Sequence, residues 1–91
     1  MKIIFDKPFS FDGKEFKEID VDLESLTGRD VSEVKRMWAQ AGNFSTVVVT
    51  DVDFCAYLGA KAAKMPYEFV EALPAKDYCR LAQSVSNFLL V

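Results

Sequence analysis

A chain of 91 residues fits one domain, and surface scaling at this size buries about 64% of what the unfolded chain exposes, one modest core. The composition, 51% hydrophobic and 13% aromatic with eight Phe, excludes disorder, and a net charge of −3 lacks the basic footprint that phosphate backbones select, which excludes nucleic acid as a ligand. With no His, and with Cys55 and Cys79 the only cysteines, neither a Cys/His zinc site nor a Cys-His nucleophile can be assembled within the chain.

The first residues, Met1 to Asp6, meet charge after a very short apolar run, unlike a secretory leader. No apolar stretch nears the ~20 residues that span a bilayer. The expectation is a cytosolic protein without a membrane partner. Residues 2–11 are rich in Ile and Phe, and residues 15–22 alternate cleanly, with Phe16, Ile19 and Val21 among acids and lysines. Between them Asp12-Gly13 tolerates the positive φ angles of a type I′ turn, so residues 1–23 are predicted to form an antiparallel hairpin. Pro8 has no N–H for a ladder bond and implies an edge or a bulge near it.

The helical part is expected from 27 to 91. Thr27 with Asp30 three residues on is a capped helix start. Val31, Val34, Met37, Trp38 and Ala41 then give the helix one apolar face, and Gly42 stops it. Thr46-Val47-Val48-Val49 is β-branched and reads either as a third short strand or as an extended linker. Thr50 and Asp53 repeat the capping pattern and open a second helix through about Lys64. Its Phe54, Tyr57, Leu58, Ala62 and Met65 are available to the core, and Gly59, Ala60 and Ala63 permit close approach. Pro66 suits the first turn of a short helix over Tyr67 to Leu73, and Pro74 that of a last helix with a seam of Tyr78, Leu81, Val85 and Phe88. The two cysteines lie in these helical patterns and read as small core hydrophobes. The whole is a single α+β domain: a hairpin packed with three to four α-helices.

Chemistry is sparse. Asp20, Asp22 and Glu24 resemble the start of a calcium loop, but Ser25 stands where the turn needs Gly and Val31 where a Glu should close the site, so they read as a solvated acidic edge. Asp51 and Asp53 read as caps rather than an acid/base pair. The glycines never cluster into a phosphate loop, and Lys61 and Lys64 read as a solvated face. No catalytic, cofactor-binding or metal-binding residue is expected. The aromatics are too many to bury fully in so small a domain. The candidate partner-binding residues are Trp38, Phe44 in the loop after Gly42, and Phe88, Leu89 and Leu90 in the apolar last segment, Asn87-Phe88-Leu89-Leu90-Val91.

The ordered set Lys7-Pro8, Phe11-Asp12-Gly13-Lys14-Glu15, Ile19-Asp20-Val21-Asp22-Leu23, Leu26-Thr27-Gly28-Arg29-Asp30, Leu58-Gly59-Ala60-Lys61-Ala62-Ala63, Leu73-Pro74 and Asn87-Phe88-Leu89 resembles the small tail assembly chaperones of long-tailed bacteriophages and prophages. The resemblance spans nearly the whole chain and rests on order and spacing; Phe44 to Phe54 fits it least. It implies a non-enzymatic protein of the host cytoplasm that binds the tape measure protein, helps tail tube subunits polymerise around it, and leaves before the virion is complete. It also implies the tail tube protein as a further contact and, in many members, a longer, frameshifted form; self-association is a separate expectation for this chain. The alternatives are a minor structural tail protein retained in the virion or a general interaction adaptor.

Overall fold

The computed structural model describes residues 1–45 and 47–90. β1 (Lys2–Phe11) and β2 (Lys14–Asp20) form a two-stranded antiparallel sheet. Asp12 and Gly13 join them at φ 52° and 79°, both positive as a type I′ turn requires. The register runs from Lys2↔Asp20 to Ile4↔Glu18, then resumes at Phe9↔Phe16. β1 therefore spends residues 5–8 where β2 spends only Lys17, and the expected irregularity at Pro8 is a bulge of four residues against one.

Phe5 and Phe9, an even number of residues apart on β1, both turn inward. They join Phe11 and Phe16 around Phe69 of α3 (Tyr67–Glu71), with ring centroids 4.9 to 6.5 Å from that ring. Phe69 is fully buried, and most of these pairs meet edge to face, the arrangement that ring quadrupoles favour. Four of the eight phenylalanines are thus spent caging a fifth.

After a 3₁₀ turn at Leu23–Ser25, α1 (Gly28–Gln40) starts at a full capping box: the Thr27 side chain accepts from the Asp30 N–H, and the Asp30 carboxylate accepts from the Thr27 N–H. α2 (Val52–Ala63) is buried on most sides, as an almost uniformly apolar helix must be. It crosses α4 (Ala75–Leu90) at Gly59, where an added Cβ would stand 3.0 Å from the Leu81 side chain, so the expected close approach is real. Lys61 bridges α2 to α1 through Glu33 at 3.0 Å and Asp30 at 3.6 Å, and is more than a solvated charge.

Several expectations are corrected. Val48–Thr50 is a 3₁₀ turn and not a strand; Thr46 lies outside the described residues. The Thr50 hydroxyl donates to the Val47 carbonyl within that turn, leaving Asp51 as the α2 N-cap, its carboxylate accepting from the N–H groups of Asp53 and Phe54. Pro66 caps α3 from outside instead of sitting in its first turn. Cys55 is buried, but Cys79 is exposed, because it lies off the α4 seam of Tyr78, Leu81 and Val85.

Candidate functional site

α4 holds most of the expected partner-binding residues, and its position is fixed by a charged clamp. Arg80 donates from Nη1 to the Ile4 carbonyl at 2.9 Å and reaches Asp77 at 3.4 Å, while Nη2 reaches Asp6 at 3.4 Å. Asp77 is buried in the first turn, where the positive helix end favours a carboxylate. Arg80 therefore ties α4 to the β1 bulge. On the other side, the Ser86 hydroxyl donates to the Val49 carbonyl at 2.9 Å and so holds the 3₁₀ turn of 48–50 to the helix.

From Leu81 to Leu90 the helix carries no charged side chain. Leu81, Ala82 and Val85 face the core, and the outward residues are flanked by two grooves. One, of about 660 Å³, lies between Ser84, Asn87 and Phe88 on α4 and Met1, Val21, Asp22, Leu23 and Glu24 across from them. The second, of about 310 Å³, is bounded by Thr50, Val52, Cys55, Cys79, Gln83 and Ser86, and shares Asn87 with the first. Burial pushes the Cys55 thiol up, the opposite of what a nucleophile needs.

The expected residues divide. Phe88, 41% exposed, lines the larger groove, and Leu90, 59% exposed, projects one turn beyond Ser86. Leu89 turns inward and packs against the core. Phe44, 86% exposed, stands alone on the loop after α1. Trp38 is a correction: it is 3% exposed and packs edge to face on Phe54, since the α1 stripe that carries it is the face α2 covers. It offers a partner no surface. Val91 lies outside the described residues. Sequence reasoning missed Met1, Leu23, Asp22 and Glu24 as groove walls; the alternation of exposed acid and buried apolar residue over 21–24 was legible, but not its facing α4.

Elsewhere, Tyr57 stacks on Tyr67 at 3.8 Å, Tyr67 and Tyr78 share a hydroxyl hydrogen bond of 3.2 Å, and Tyr78 donates to Asp53 at 2.7 Å. This chain joins α2, α3 and α4. Burial, then the hydrogen bonds to Tyr67 and Asp53, push the Tyr78 phenol far above its usual range, so it is a structural donor at ordinary pH. Among the described residues no group of acids and cysteines could hold a metal ion, and no helix is long and apolar enough to cross a membrane.

Fold and surface together define a small α+β protein with a charge-free, partly apolar helix face set between two grooves. The chain belongs to the family described as phage tail assembly chaperone proteins, E, or 41 or 14, which matches residues 2–90. Membership places its partners among the proteins of tail assembly. No curated protein and no solved structure matches the chain.

Proposed function

We propose that this chaperone acts without catalysis on the tape measure protein, shielding apolar helical segments in the host cytoplasm while tail tube subunits assemble, and that it is absent from the finished virion. The observation that carries the reading is the outward face of α4 from Ser84 to Leu90, uncharged, with Phe88 and Leu90 exposed beside a groove. Exposed large apolar groups next to a cleft mark protein contact. Phe88, Leu90 and Phe44 are the proposed contacts. A helical client suits such a face because its apolar stripe needs cover until the tube encloses it.

Co-expression with the tape measure protein encoded alongside tests the reading: the client is expected in the soluble fraction, bound to this chain. A client equally insoluble with and without it rules the reading out. Mass spectrometry of purified virions separates a chaperone, expected absent, from a retained tail component.

A further inference from the structure

We infer that the groove between α4 and residues 21–24 is the client site, and that it takes an amphipathic helix whose apolar stripe is flanked by lysine or arginine. The inference rests on the chaperone reading above and adds the chemistry and place of the contact. The apolar surface that the groove offers is that of Met1 and Phe88, over a base closed by the buried Val21 and Leu23, and the α4 wall adds only the neutral Ser84 and Asn87. The opposite wall carries two exposed carboxylates, Asp22 and Glu24, neither with an ion-pair partner among the described residues. No lysine or arginine lines the groove. Asp20, next along, is satisfied by the N-terminal ammonium at 3.5 Å. An occupant that covers this apolar surface therefore meets uncompensated negative charge on one side, and a cation there gains both steering and register.

The backbone decides between a helix and an extended peptide. Val21 donates to the Met1 carbonyl and its own carbonyl accepts from the Met1 ammonium; Asp22 donates to the Ala62 carbonyl, and Leu23 to the Val21 carbonyl. The main-chain N–H groups of 21–23 are thus spent, and the facing wall is a helix. Among its described residues the groove offers no free strand edge, so an extended segment would leave its own backbone unpaired there. A helix satisfies its backbone internally and brings only side chains, with anchors at three- and four-residue spacing.

The test uses the full chain and two synthetic amphipathic helices that share one leucine stripe, the first with lysine and the second with glutamate on the polar face, alongside the co-encoded tape measure protein. Asp22→Lys/Glu24→Lys is compared with Glu15→Lys/Glu71→Lys, which changes net charge equally but lies outside the groove; all four positions are exposed, and circular dichroism checks folding. The wild type is expected to bind the lysine helix at least tenfold more tightly than the glutamate helix. The groove variant should lose that preference and release the tape measure protein, while the control keeps both. Equal binding of the lysine helix by both variants overturns the inference. So does a groove variant that loses the peptide preference yet holds the tape measure protein as before, and this leaves the chaperone reading standing. A wild type that shows the peptide preference but never holds the tape measure protein sustains the groove chemistry and overturns the reading of the client.

Discussion

At the scale of single residues, two polar constellations matter more than the composition suggests. Arg80 is the partner of the buried Asp77 and also holds the Ile4 carbonyl next to the bulge. Replacing it with Met leaves Asp77 buried and unpaired. Because the Arg80 side chain is itself 43% exposed, solvent screening moderates the cost, and Arg80→Met is expected to lower unfolding free energy by about 1–3 kcal/mol in urea denaturation. Adding Asp77→Asn should recover part of that loss, since the stranded charge is then gone; a double mutant no better than the single refutes the clamp. The tyrosine chain gives a pH signature. Tyr67 and Tyr78 both have phenols raised by burial, which favours the protonated form in the folded state. Their contribution is therefore complete below the unfolded tyrosine value near 10 and is lost as pH climbs above it. Ultraviolet titration should show at least two tyrosines ionising only together with alkaline unfolding, and Tyr78→Phe should shift that unfolding.

Elements inherit their ends and faces from short-range chemistry, and these were legible. Asp12-Gly13, Thr27 with Asp30, and Gly42 at φ 93° each act as the sequence predicts, because a turn or a cap involves only a few neighbouring atoms. Thr27→Ala should cost about 0.5–2 kcal/mol, read from the urea midpoint. The same box holds the Asp30 carboxyl below its usual range, chiefly through the Thr27 N–H. That contribution is present above the unfolded carboxylate value and is lost as pH falls through the lowered one, so disruption of the box should blunt the acid limb of the stability profile. The start of α2 was misread because two caps compete there. Thr50 and Asp51 are both good N-caps, and the 3₁₀ turn that captured the Thr50 hydroxyl was set by Ser86, 37 residues from Val49.

For the molecule as a whole, the hairpin and the helices share one core. A radius of gyration of 12.5 Å agrees with the roughly 12 Å expected of a single compact chain this long. Phe69 joins the two halves, so Phe69→Ala should cost about 3–5 kcal/mol, a large share of the ~5–14 kcal/mol available to a domain of this size. Trp38 fluorescence, which reports the α1–α2 core, and far-ultraviolet circular dichroism should follow one transition in wild type and variant alike. Two separated transitions would show that the hairpin folds apart from the helices.

The sequence by itself determined the α+β class, the hairpin and its turn, the α1 cap, the close approach at Gly59 and the family resemblance, because these follow from periodicity, backbone conformation and motif order along the chain. Only the tertiary structure decided which aromatics face outward. Trp38 and Phe88 sit in equally apolar helical stripes, and nothing local distinguishes them; α2 covers the first, and among the described residues no element covers the second. The facing of Asp22 and Glu24 toward α4 was likewise invisible along the chain, since it joins segments some sixty residues apart through packing.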